Sequence, residues 1–456
     1  MTKTLYFAKI ALVVSLLALA SNLSNAQPLD YEKAMDDIMD SYLSDYPEPT
    51  LKALDKLFDG VNINELPAKT RFFYYYYYGG CLVDKNHSDA EEYLTEARKV
   101  AYSNPEVGIR NKFALGAEKS LADLYLSKGT EEYSAAAMLL YNDIITVGIS
   151  LLEDIDIAGM VVMSWIEEAK MGVKTWMDPD WVKKIWIQTR DLALEINDGT
   201  YYSYYVLNVL NYYCDLGDYD TALAFMEDAK NKEILKVDVI SFCQHISDAK
   251  KLLPQIESIK VDKGANSIEY WSSKLDLATL STVLCSKDAA FSLLQEVEQG
   301  LVNNRLTDSY EYAQVLFLLS NNTFEKPDLA EQYFLKQINV LETTPQYFAY
   351  TSDTEVFNSL AVCQMKQGKY FKAQENYQKA LECLERDKSY SDQPGYKSIL
   401  SVVYHNVGRN LYFLSRYNES VDFFSKSIAL QEEVNGTVMP KTKVYLSESL
   451  NHISKN

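Results

Sequence analysis

The chain has 456 residues, 47% of them hydrophobic and 24% charged, a composition that supplies a buried core and is unlike that of a disordered chain. Lys plus Arg number 44 against 64 Asp plus Glu, giving a formal net charge of −20. That charge repels phosphate backbones and anionic lipid surfaces, so it disfavours nucleic-acid binding and peripheral membrane attachment.

The first element is a leader. "MTKTLYFAKIALVVSLLALASNLSNAQ" sets Lys3 and Lys9 before an apolar run from Ile10 to Ala20, then the small residues Ser24 and Ala26. This is the order of a secretory signal over residues 1–26, with cleavage expected after Ala26. Removing both lysines takes the formal charge from −20 to −22. The run is too short to span a bilayer, no Cys is near it to carry a lipid, and no later stretch reads as a membrane span. The expectation is an exported protein, periplasmic or secreted, with no stable membrane insertion after cleavage.

From residue 29 the apolar spacing is helical almost throughout. "YEKAMDDIMDSYL" places Tyr31, Ala34, Met35, Ile38 and Tyr42 on one face. "DPDWVKKIWIQTRDLALEI" opens on Asp178 and Pro179 as a helix start. Short connections such as "SKGTEE", "LGDY", "KQGKY" and "NGTVMP" separate these helices, and no alternating run reads as a hairpin strand. The expectation is all-α: antiparallel helix hairpins stacked along a line, in two arrays covering 27–260 and 261–456, the second with a capping helix.

Three stretches share one spacing. From Phe357, Leu360 and Ala361 follow at +3 and +4, Gly368 at +11, Tyr370 at +13, Ala373 at +16, Tyr377 at +20 and Ala380 at +23. From Tyr404 the same offsets give Val407, Gly408, Ser415, Tyr417, Ser420, Phe424 and Ser427. From Val206 they give Val209, Leu210, Gly217, Tyr219, Ala222, Met226 and Ala229. Small residues let helix backbones approach, large ones fill the gaps, and Gly or Ser at +11 reverses the chain. This spacing resembles the tetratricopeptide repeat (TPR) family, which implies a superhelical solenoid of stacked hairpins. Gln364 departs from the family's pattern by replacing a usual aromatic, no Pro closes the repeats, and the copies at Phe357 and Tyr404 lie 47 residues apart.

The same offsets from Tyr74 reach Tyr77, Tyr78, Ala90, Leu94 and Ala97, with Cys81 at +7. The run "RFFYYYYYGG", seven consecutive aromatic rings, then reads as the first helix of a hairpin. Tyr74, Tyr77, Tyr78 and Cys81 are expected on its packing side, and Phe72, Tyr75, Tyr76 and Gly79 on the other. A helix apolar all round is buried or faces a partner, and Tyr suits interfaces, so Tyr75 and Tyr76 are candidates to line an inner groove.

Catalytic signatures are missing from the sequence. The four histidines, His87, His245, His405 and His452, form no zinc-binding spacing, and no C-x-x-C, phosphate loop or nucleophile elbow occurs. No cofactor or metal is expected. The acidic clusters "YEKAMDDIMD" and "LLEDIDIAGM" lack the Gly and terminal Glu of a calcium loop and read as solvated helix faces. Trp165, Trp176, Trp181 and Trp186, with abundant carboxylates, keep an α/α-barrel hydrolase as the enzymatic alternative.

The resemblance implies a binder of proteins or peptides whose first helices line a concave groove. Residues at +1, +2 and +5 should point there. Beside Tyr75 and Tyr76, the groove candidates are Asn208, Asn211, Asn358, His405, Asn406 and Arg409, with Tyr412 one turn later. Asn offers a donor and an acceptor to a peptide backbone, and Arg can meet a carboxylate. The leading expectation is an exported, non-enzymatic scaffold. The alternative is a sensory or regulatory module acting on a separate membrane receptor. Six cysteines are present, and Cys363 and Cys383 are expected too far apart along their hairpin to bridge.

Overall fold

The computed structural model describes residues 30–39, 47–84, 88–104, 112–174, 179–229, 235–236, 238–343, 352–386, 391 and 394–455, so the expected leader over residues 1–26 lies outside the described residues. The described residues form twenty α-helices and no strand. They divide into two compact units, Met1–Val209 with Lys232–Val237, and Leu210–Asn231 with Asp238–Asn456. This division lies upstream of the expected boundary at 260/261. That position falls inside the helix Val239–Lys263, which carries Pro254 internally and stops only at Gly264.

The N-terminal unit holds α1 (Tyr31–Met39), α2 (Pro47–Leu57), α3 (Ala68–Asp84), α4 (Ala90–Ser103), α5 (Lys112–Lys128), α6 (Glu131–Gly148), α7 (Ile155–Lys174) and α8 (Pro179–Ile196). Helix α9 (Gly199–Asp215) contains the division. The C-terminal unit continues with α10 (Tyr219–Ala229), α11 (Val239–Lys263), α12 (Ile268–Leu284), α13 (Lys287–Asn303), α14 (Tyr310–Asn322) and α15 (Pro327–Thr343). It ends with α16 (Ser352–Lys366), α17 (Tyr370–Arg386), α18 (Pro394–Phe413), α19 (Tyr417–Asn435) and α20 (Pro440–Lys455).

From α1 to α8, and again from α10 to α20, every helix packs on the next in chain order. A second layer of contact joins alternate helices: α1, α3, α5 and α7 in one unit, and α12 with α14, then α16, α18 and α20, in the other. Serial pairing with an inner row of helices is an all-α hairpin solenoid, as the sequence implies.

The shared spacing has a physical counterpart at each offset. The small residues Ala361, Ala373, Ala380, Ala222, Ser420 and Ser427 are all fully buried. Serine takes alanine's place in the α18–α19 pair because each hydroxyl finds a carbonyl across the hairpin: Ser420 Oγ donates to Gly408 O at 2.8 Å, and Ser427 Oγ to Ser401 O at 2.7 Å. Gln364 is likewise explained. Its amide donates to Glu331 Oε1 at 3.0 Å and its carbonyl accepts from Asn376 Nδ2 at 2.8 Å, joining α15, α16 and α17 through polar contacts where an aromatic would only pack.

At +11 the chain needs a left-handed residue to leave the helix. Gly217 has φ 71° and Gly368 has φ 72°, while Ser415 adopts φ 59° at the same offset. A side chain there strains the backbone by about 1–2 kcal/mol. Ser415→Gly is therefore expected to raise the urea midpoint of the C-terminal unit, a gain of about 0.5–1 kcal/mol after the greater freedom of glycine in the unfolded chain is subtracted. An unchanged or lower midpoint would contradict the strain argument.

One helix departs from the expectation that no later stretch has the makings of a membrane span. Glu131–Leu151, α6 with its short extension, is long and apolar enough by composition. Its Ala137, Leu140, Tyr141 and Ile144 belong to one core cluster with Leu115 and Leu121 of α5 and Ile157 of α7, so this face of the helix serves the solenoid core.

Candidate functional site

Helix α3 shows why an aromatic run belongs here. Its rings are claimed by four neighbouring helices. Tyr77 Oη donates to Asp36 on α1 at 2.9 Å, and Tyr78 Oη to Asp55 on α2 at 2.6 Å. Tyr75 meets Tyr93 on α4 edge-on at 6.1 Å, and Phe73 meets Phe113 on α5 at 5.2 Å. Both sides of the helix are covered, as a helix apolar all round requires. Phe72 is fully buried among Ala97, Val100, Ala101, Ala114 and Ala117, and a Cβ on Gly79 would stand 2.7 Å from Leu94. Those two positions face α4 and the following pair, and the bare Gly79 is what lets α4 approach.

Tyr76 stacks on Phe72 at 5.8 Å and reaches toward Gly116, where its hydroxyl is 3.1 Å from the position of a Cβ. Burial pushes its phenol above the ordinary range. Tyr75 stays half-buried. In the acidic cluster of α1, Asp36 and Asp37 are exposed, while Glu32 accepts from Lys69 Nζ at 2.7 Å and from Thr70 Oγ1 at 3.1 Å on α3. Asp154 of the second cluster accepts from Asp156 N at 2.9 Å at the start of α7. Of the tryptophans, Trp186 is buried, Trp165 and Trp181 are half-buried, and the side chain of Trp176 lies outside the described residues.

On α9, Asn208 and Asn211 are both half-buried. Asn208 Nδ2 is used within its own helix, donating to Tyr204 O at 2.8 Å.

The remaining candidates converge on the inner row α16, α18 and α20. Asn406 Nδ2 donates to Asn358 Oδ1 at 3.0 Å, bridging α18 to α16. The second polar atom of each amide has no hydrogen-bond partner among the described residues, so the pair offers one donor and one acceptor. Arg409 Nε donates to Tyr445 Oη at 3.1 Å, and its guanidinium lies 5.7 Å from the Tyr445 ring and 6.0 Å from that of Phe413. Tyr412 is surrounded by the rings of Phe413, Tyr417, Tyr445 and His452, at 5.3 to 5.9 Å.

His405 is the clear correction among these residues. It is 6% exposed, its Nδ1 is 3.0 Å from Thr442 Oγ1, and its ring packs against Phe424 and Tyr445. Burial first, and the Arg409 charge second, lower its pKa to about 4, so it is a neutral interior histidine and not a groove wall. The cause is α20, which lays Thr442, Tyr445, Ser449 and His452 along the α18–α19 pair. Those four recur at helical spacing, a stripe that the sequence carried and that marks the inward face of the last helix. Among the described residues, no group of three or more His, Cys, Asp or Glu is placed to hold a metal ion.

Neither a protein-family model nor a curated protein sequence matches this chain. Solved structures do. A Podospora anserina putative kinesin light chain with nearly identical TPR-like repeats is 12% identical, with 51% of this chain and 95% of that one covered at a TM-score of 0.34. The TPR2AB domain–pHSP90 complex of yeast Sti1 is 14% identical, with 65% and 99% covered and a TM-score of 0.24. The APC/C hetero-tetramer Cut9-Hcn1 is 12% identical, with 92% and 87% covered and a TM-score of 0.30. At these TM-scores the likeness carries no argument, and the hairpin solenoid rests on the helix pairing described above.

Proposed function

We propose that this chain is an exported, non-enzymatic scaffold that holds a protein or extended peptide on the inner row of its C-terminal helices. One observation carries the reading: the bridged Asn358–Asn406 pair, set across two inner helices with an amide donor and an amide acceptor unclaimed by the described residues. An extended peptide presents that complement along its backbone, and amide side chains on inner helices can read it without regard to sequence. Arg409 and Tyr412, fixed by Tyr445, form the edge of the same face. Export rests on the charged, apolar and small-residue order of residues 1–26, and the acidic surface fits a partner that is not a nucleic acid.

Affinity capture from the native exported fraction tests this, comparing wild type with the double variant Asn358→Ala/Asn406→Ala. Each lost hydrogen bond is worth about 1 kcal/mol. Recovery of at least one specific partner is expected to fall by roughly 10-fold or more, with the thermal midpoint of the protein preserved. Equal recovery of every partner by a folded variant would remove the assignment.

A further inference from the structure

We propose that Cys214 and Cys285 are joined by a disulfide in the oxidised protein, stapling the end of α9 to the turn between α12 and α13 within the C-terminal unit. Cys214 lies in the last turn of α9 and is 3% exposed, and Cys285 caps α12. Asp215, the residue after Cys214, holds the neighbour of Cys285: its Oδ1 accepts from Ser286 N at 2.8 Å. Chain segments 71 residues apart are thus held side by side with one cysteine on each, both of them free thiols in this structure.

A metal would need a third ligand, and among the described residues no such group is placed for one. Closure breaks two S–H bonds and forms one S–S bond. The two electrons and two protons pass to a disulfide oxidant such as oxidised glutathione, which leaves as two thiols. Burial pushes both thiols up to about 12, so few thiolates exist in the folded chain and exchange begins while the segments are still opening or folding. Once formed, the bond closes a long loop and removes states from the unfolded chain.

The test uses the full-length protein refolded in an oxidising glutathione buffer, alkylated, and digested without reduction. A linked peptide pair containing Cys214 and Cys285 is expected. Cys285→Ala is expected to leave Cys214 open to alkylation and to lower Tm by roughly 5–10 °C. Dithiothreitol should lower the wild-type Tm similarly and leave the variant's Tm unmoved. Should the variant not fold, mapping of the wild type alone decides. Alkylation of both cysteines in the wild type, or a bond from either one to a different cysteine, overturns the proposal.

Discussion

Replacing Tyr377 with alanine is expected to destabilise the C-terminal unit by about 3–5 kcal/mol. Tyr377 is fully buried, and Ala361, Ala373, Ala380, Leu384, Val403, Val407 and Leu411 belong to the same core cluster. These come from α16, α17 and α18, so the ring is where one hairpin closes on the next. The alanines that allow the helices to approach carry only a methyl with no rotamer to swing into a void, and the cavity would persist. Tyr377→Phe separates ring from hydroxyl. The one hydrogen bond of the Oη among the described residues goes to Met365 Sδ, at 4.0 Å, so its loss should cost less than about 1 kcal/mol. Denaturant unfolding of both variants checks this pair. A Tyr377→Ala cost below that of Tyr377→Phe would refute the packing account. The corresponding positions Leu94, Met226 and Phe424 are also fully buried, so apolar bulk is the property that the offset demands.

That regularity explains what the sequence disclosed. Offsets within a hairpin depend on local helix geometry, so small residues at +4, +16 and +23, large ones at +20 and a turn residue at +11 could be read directly. Contacts between hairpins depend on which element arrives next. Phe72 and Gly79 could be set on the side of α3 opposite Tyr74, but not what covers that side, which is α4 and α5. The groove assignment of His405 failed for that reason: its offset is that of an inner-face residue, but α20 packs over it. Asn358 and Asn406 could be named as inner-face residues from spacing alone. Their mutual hydrogen bond could not, because it spans 48 residues and depends on how α18 rests on α16. The polar bridge through Gln364 was visible only as a departure from a pattern. Its meaning came from Glu331 and Asn376, which belong to two other helices.

Glu168 should make stability fall as pH rises. It sits on α7 at 8% exposure, one turn after Ser164, which is fully buried and whose Oγ has no hydrogen-bond partner among the described residues. Burial alone raises its carboxyl from the ordinary 4.5 to about 7, since ionising it there forfeits hydration that no neighbour replaces. Between pH 4.5 and 7 the unfolded chain has released this proton while the folded chain keeps it, so the folded state binds more protons and stability drops with rising pH. The contribution is complete below 4.5 and gone above 7. Glu168→Gln keeps the shape and removes the ionisation, so at pH 8 it should be more stable than wild type by up to roughly 3 kcal/mol. Near pH 4.5 the two should converge. Urea midpoints measured from pH 4.5 to 8 give the comparison. Parallel curves for wild type and variant would mean that Glu168 ionises in the folded chain as readily as in water, and that α7 is more open to solvent at this turn than its packing implies.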